Sequence, residues 1–431
     1  MVALLDLRRA VCLIIPTVIA LAPRAAAAED PCQGGEVTGD KASETPDPTT
    51  TAPTALAAKP VSPPAEPGVA GADPSLPPRV PGVAFSWAPF GYLRLQYRAI
   101  QNDPNVEFVG RDDGFELQNA RIGVRGTLGD DAAFVISFDG AVDERQQINV
   151  PEGRLQVRLR DAYGDYFIGR QRDRDQRIKS ELLFRAGFFR TWAEPQEQIP
   201  NVTREFVDQP LESRGVRATE GFQTQGLTPG RSLGAAFRLQ PQFGLDAPAL
   251  GFELAIQNGA DEFSSNNDND KPAVSAAGVI RFAKDGHVVV AARYNPRTVG
   301  ELPFRQDEDD LSGSAGLRIP AGPVAIGGGA VFTRTTFGTS GGPAQNAFGA
   351  HAQLTIGAGS KALPLRFGYR FSMFDPSSLF ITDRVMEHTV GGVLGVPRYR
   401  MRVQLQLTHV LEQAARELSN SRAQLAVELS L

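Results

Sequence analysis

The chain has 431 residues, a formal net charge of −5 and two cysteines. That acidic balance argues against a nucleic-acid partner, and no stretch after residue 84 is long and apolar enough to span a bilayer as a helix, which takes about 20 residues. His-Glu-x-x-His and Gly-rich phosphate loops are missing from the sequence, and no enzyme, cofactor or metal site is expected.

Residues 1–28 read as an export signal. Arg8 and Arg9 precede an apolar run from Ala10 to Ala22, and Ala26-Ala27-Ala28 offers small residues for cleavage before Glu29. Residues 29–84 are rich in Pro, Ala and Thr, with Pro63-Pro64 and Pro77-Pro78 steps. Such a composition has little to bury and is expected to form a disordered periplasmic tether. Cys12 leaves with the signal, so Cys32 has no intramolecular disulfide partner.

From residue 85 to 431 the pattern changes to alternation. Leu93, Leu95 and Tyr97 oppose Arg94, Gln96 and Arg98; Ala120, Ile122 and Val124 oppose Asn119, Arg121 and Arg125. Leu155, Val157 and Leu159 oppose Arg154, Arg158 and Arg160, and Met401, Val403 and Leu405 oppose Arg400, Arg402 and Gln404. The last segment sets Leu425, Val427 and Leu429 against Arg422, Gln424 and Glu428. A period of two means strands with one oily and one polar face.

Connections alternate as well. Short turns are predicted at Leu128–Asp131, Tyr163–Asp165, Lys284–Gly286, Pro320–Gly322, Ala358–Ala362 and Val396–Arg398. Longer polar stretches fall between them, among them Gln101–Gly114, Asp143–Glu152, Gly259–Pro272, Pro296–Asp310 and Asp375–Arg384. Outer-membrane barrels show this asymmetry, with tight periplasmic turns and long external loops. The expected fold is all-β: a transmembrane antiparallel β-barrel of about 16 strands in the bacterial outer membrane, in contact with lipid and lipopolysaccharide. Residues 171–230 resist strand assignment. The acidic run Asp307–Asp310 and the Asn266–Asp270 loop read as solvated loop tips or as contacts to cations bridging lipopolysaccharide.

Several segments resemble the phosphate-selective porin O and P family. Phe115-Glu-Leu-Gln-Asn-Ala-Arg121-Ile-Gly-Val-Arg125-Gly looks like its second strand. Leu159-Arg-Asp161-Ala162-Tyr163 followed by Ile168-Gly169-Arg170-Gln171 is similar to its Asp-Ala-Tyr and Val-Gly-Gln strands. Arg214-Gly215-Val216, and Ile256-Gln257-Asn258-Gly259 before the Asn/Asp loop, complete the likeness. The resemblance implies a homotrimeric channel passing phosphate or related small anions. This chain departs from the family in lysine: Lys179, Lys271, Lys284 and Lys361 are all that the barrel region holds.

A lipid-facing arginine at mid-membrane costs about 2–4 kcal/mol, so the parity sends the arginines inward. The expected pore-lining, anion-binding set is Arg94, Arg98, Arg121, Arg125, Arg154, Arg158, Arg160, Arg400 and Arg402. Guanidinium groups stay charged at any working pH and meet phosphate bidentately. Arg170, Arg172, Arg174, Arg177 and Lys179 are expected on a third external loop folded inward as a constriction. The alternatives are a general or cation-preferring porin, since Asp139, Glu253 and Glu428 share the inward parity, and a non-conducting structural barrel.

Overall fold

The computed structural model describes residues 84–107, 109–111, 113–141, 157–172, 178–193, 204–217, 220–221, 224–242, 248–259, 271–282, 285–299, 305–338, 343–413 and 417–431. The expected export signal, almost all of the Pro-rich segment, Arg154, Arg174, Arg177 and the Asn266–Asp270 loop lie outside them.

Sixteen strands follow in chain order. The first four are β1 (Phe85–Ile100), β2 (Gly114–Leu128), β3 (Ala132–Asp139) and β4 (Arg158–Arg172). Next come β5 (Ile178–Phe189), β6 (Ser232–Pro241), β7 (Ala249–Gln257) and β8 (Ala273–Phe282). Then β9 (Gly286–Val299), β10 (Gln306–Ala321), β11 (Val324–Phe337) and β12 (Gln345–Gly359). The wall ends with β13 (Pro364–Asp375), β14 (Arg384–Val396), β15 (Met401–Gln413) and β16 (Arg422–Ser430). Each strand pairs antiparallel with its neighbours in sequence, and β1 closes the cylinder against β16, Leu93 opposite Leu429 and Arg98 opposite Gln424. Closure satisfies the backbone groups that an open edge would leave in hydrocarbon.

The two faces separate cleanly. In β7 buried and exposed residues alternate without a break from Ala249 to Gln257. In β1 Arg94, Gln96 and Arg98 are buried inside while Leu93, Leu95 and Tyr97 are exposed outside. The outer face carries Ile122, Phe237, Leu254, Val290, Phe332, Phe367, Val390 and Leu407, all exposed. An apolar belt this extensive needs a lipid cover. A closed sixteen-stranded antiparallel wall with such a belt is the architecture of bacterial outer-membrane proteins, and the chain is one of them.

Short connections gather at one end, together with the start of β1 and the end of β16. Two of them use left-handed glycines, Gly129 (φ 59°) and Gly322 (φ 62°), as tight hairpins require. Three expectations need correction. Tyr163–Asp165 is no turn: β4 runs straight through it, because the residues keep their alternation and Asp165 faces Arg185 across the ladder. The loop expected over Pro296–Asp310 is shorter, since β9 continues to Val299 and β10 starts at Gln306. Within that acidic run the parity divides the charges. Glu308 and Asp310 point inward to Arg297 (both 3.0 Å), whereas Asp309 and Asp307 accept from Tyr294 Oη and Thr298 Oγ1 (both 2.8 Å).

The third correction concerns the constriction. Arg170, Arg172 and Lys179 flank the short connection between β4 and β5, where Arg170 pairs with Glu181 (2.9 Å) and Asp130 (3.1 Å). Their charge run belongs to strand ends on the short-turn side, not to an external loop. The long third connection is instead the stretch from Arg190 to Arg231, between β5 and β6.

Candidate functional site

This third connection enters the barrel. Trp192 and Ala193 leave β5 and pack on Ala277, Val279, Val289 and Ala291 of the inner wall of β8 and β9. The Trp192 backbone N–H donates to Glu253 Oε1 (2.6 Å), and Ser314 Oγ donates to the Ala193 carbonyl (2.7 Å). Farther along, Glu205 receives Arg318 (2.7 Å) and Arg366 (3.0 Å), and the Val207 N–H donates to Gln406 Oε1 (2.9 Å). Arg370 donates to the Asp208 carbonyl (2.9 Å), and Gln404 and Arg402 donate to the Arg204 carbonyl. A polypeptide lying in a lumen must satisfy its backbone polar groups on the wall, and inward Arg and Gln side chains supply the donors and acceptors here.

A short helix, α1 (Leu211–Arg214), anchors the far end. Leu211 and Val216 join Phe374, Val385 and Val410 in an apolar cluster, and Glu212 binds His351. Glycines on the inner wall make the room. A Cβ at Gly349 would lie 2.4 Å from the Glu212 Cβ, and one at Gly368 would lie 2.8 Å from the Phe206 ring.

Around this anchor sits a buried charge cluster. Arg214 reaches Glu387 (2.5 Å) and Glu220 (2.7 Å), Arg217 reaches Asp208 (3.3 Å), and Arg422 reaches Glu387 (2.7 Å) and Asp208 (3.5 Å). Burial pushes the Asp208 carboxyl up, but Arg217, Arg214, Arg422 and Arg98 together hold it well below the usual carboxylate range. Glu220 responds the same way: burial raises it, and Arg214, Arg422, Arg217 and Arg98 lower it further.

The expected pore-lining arginines distribute as follows. Arg94 binds Glu428 (Nε, 2.9 Å), joined there by Arg402 (3.3 Å). Arg98 lies against Glu116 (3.2 Å), and Arg121 shares Asp161 with Arg231 (2.9 Å from the latter). Arg160 occupies a bulge where the β3–β4 register shifts and approaches Asp139 (3.9 Å); Arg158 stands opposite Asp139 in the ladder. Arg125 is exposed, 5.9 Å from the Phe90 ring centroid. Arg400 departs from expectation. It follows a single 3-10 turn, Pro397–Tyr399, is exposed, and takes a left-handed φ of 49°, because the strand parity starts only at Met401.

Arg185, Arg238, Arg281, Arg318 and Arg370 also face inward, beyond the expected pore-lining set, as does Arg422, which the alternation of the last segment already puts on the polar face. The same parity rule was available for them. In β5 and β8 it is muted, because small outward residues such as Ala186 and Gly278 blur the oily face. Asp139, Glu253 and Glu428 are inward and buried, as their parity predicts. Three of the arginines stack on rings at the root of the inward segment. Arg185 lies 3.8 Å over Tyr163, Arg238 5.5 Å over Trp192, and Arg281 5.9 Å over Trp192.

The sequence matches no family model and no curated protein. Several solved structures share the fold. The chain is similar to OmpT, an outer membrane protein of Vibrio cholerae in its trimer form, with TM-score 0.53 and 10% identity over 81% of this chain and 100% of that one. The outer membrane channel DcaP of Acinetobacter baumannii gives TM-score 0.53 and 12% identity over 80% and 97% of the two chains. An anion-selective porin from Comamonas acidovorans gives TM-score 0.53 and 12% identity over 81% and 100%. At such identities the shared property is the fold, the closed barrel of the outer membrane.

Proposed function

We propose that the chain is a porin for passive diffusion of small solutes, favouring anions, with phosphate among the candidates. One observation carries this reading. The inward arginines of β2–β4 are less covered than the side chains facing the third connection, and there Arg121, Arg125, Arg158, Arg160 and Arg170 outnumber by one the inward carboxylates Glu116, Asp139, Asp161 and Asp165. Positive excess along a narrow wet path raises the local anion concentration, while the neighbouring carboxylates keep any one site from holding the ion too tightly. The anion-selective porin among the structural neighbours and the likeness to the phosphate-selective family support the same direction. A homotrimer is proposed on that likeness and on the trimer form of the V. cholerae neighbour. The reaction assigned to the protein is transport, with no chemical step.

A planar bilayer tests it. Refolded protein is expected to conduct, with a reversal potential of anionic sign under a potassium chloride gradient and a chloride current reduced by added phosphate. Replacing Arg121, Arg158 and Arg160 together by Gln is expected to lower the anion-to-cation permeability ratio several-fold, by roughly the local potential that three charges supply. A cationic reversal potential in the wild type would remove the anion reading. A second reading, a structural barrel, draws on the third connection, whose described residues reach from β8 to β16 and carry Glu205, Asp208, Arg214 and Glu220 in ion pairs. Absence of any current would favour it.

A further inference from the structure

The outer wall holds a feature that the pore does not use. Of the chain's four histidines, His287 and His351 are buried on the inner face. His388 of β14 and His409 of β15 stand directly opposite each other in the ladder, on the lipid side. The pairs above and below them on that face are Met386 opposite Leu411 and Val390 opposite Leu407, both apolar. Two imidazoles set into an oily stripe are costly unless their nitrogens are occupied. One nitrogen of each is. Tyr369 Oη lies 2.8 Å from His388 Nδ1, and Ser421 Oγ lies 3.0 Å from His409 Nδ1. Either hydroxyl can accept from an Nδ1–H, and that tautomer leaves a lone pair on Nε2. The Phe371 ring, 5.1 Å from that of His388, packs against its side.

We propose that His388 and His409 form a two-nitrogen site for a divalent transition-metal cation of the zinc or copper kind, at the long-loop end of the outer wall. Directly opposed residues of an antiparallel pair have Cβ atoms about 4.5–5.5 Å apart, within reach of one ion bound by both imidazoles at about 2.0–2.1 Å. Imidazole suits zinc and copper rather than calcium or magnesium, which take oxygen ligands. Tyr369 and Ser421 act as positioning residues, because a hydrogen bond at Nδ1 fixes the tautomer that leaves Nε2 free. Water fills the remaining coordination positions.

The test uses the whole refolded chain in detergent micelles, with zinc as the calorimetric probe and copper(II) as the spectroscopic one. Expected are one zinc per chain and a copper spectrum showing two nitrogen donors. His388→Gln or His409→Gln is expected to abolish zinc binding and leave one nitrogen in the copper spectrum, while His287→Gln changes neither. Tyr369→Phe and Ser421→Ala are expected to weaken zinc binding by roughly tenfold or more. Heat-modifiable migration in gels checks that each variant still forms a barrel. No zinc binding by the wild type would overturn the proposal, as would binding that survives the His388→Gln/His409→Gln double variant or a ratio of one zinc per two chains.

Discussion

Arg422 shows what single residues contribute inside this barrel. Its side chain is buried among Asp208, Glu220 and Glu387, three carboxylates from the inward segment and the wall. Removing one partner of a buried ionic network leaves charge uncompensated, at a cost of about 3–5 kcal/mol. Arg422→Met is therefore expected to release the segment and lower the unfolding midpoint, read by urea titration and by proteolysis between residues 204 and 231. The pH response has a definite sign. Asp208 and Glu220 are depressed in the folded state, so their contribution is present above the unfolded carboxylate value of about 4 and is lost only as pH falls through the still lower folded value. Docking is expected to hold from pH 7 to pH 4 and to fail only under stronger acid. Trp192 fluorescence in a Trp87→Phe background reports it, since Trp87 lies on the exposed outer face. Release near pH 5 would contradict the assignment.

At the level of elements, the third connection decides the character of the lumen. Its fit depends on wall glycines, and Gly349 is the tightest of them against Glu212. Gly349→Val is expected to displace α1 while leaving β12 paired, because a β-branched residue suits a strand but not the space above it. Single-channel conductance should rise relative to wild type; unchanged conductance with an intact barrel would show that α1 does not limit the path. The expected constriction at Arg170–Lys179 was misplaced for a related reason. Mixed charge marks a solvated edge equally well on a short turn and on a long loop, and the continuous alternation through Tyr163–Asp165 was the clue that β4 extends to Arg172. The inward segment was the part of the chain that carried no period. A strand repeats its environment every second residue, whereas a packed irregular segment has a different neighbour at each position, so no local pattern announces it.

On the scale of the whole molecule, β1 closes against β16 from Tyr92 opposite Ser430 to Ile100 opposite Arg422. A chain lacking residues 29–83 is expected to refold to the same heat-modifiable barrel with unchanged midpoint, measured by gel shift and tryptophan fluorescence. Loss of refolding would show that the Pro-rich segment takes part in assembly. Conductance with and without that segment separates a tether from a gate in the same preparation.

The alternating residues, together with the alternation of short and long connections, determined in the sequence that an outer-membrane barrel is expected, roughly how many strands it has, and which face of each strand is oily. Hydrophobicity acts residue by residue against a uniform solvent, water on one side and hydrocarbon on the other, so a period-two pattern suffices to orient Arg94 inward and Leu95 outward. Only the tertiary structure decided what each inward arginine meets. Arg98, Arg214 and Arg422 come from positions far apart in sequence and share carboxylates from a segment without regular structure. Charge pairing depends on distances of a few ångströms across the lumen, and those distances are set by the closure of all sixteen strands together.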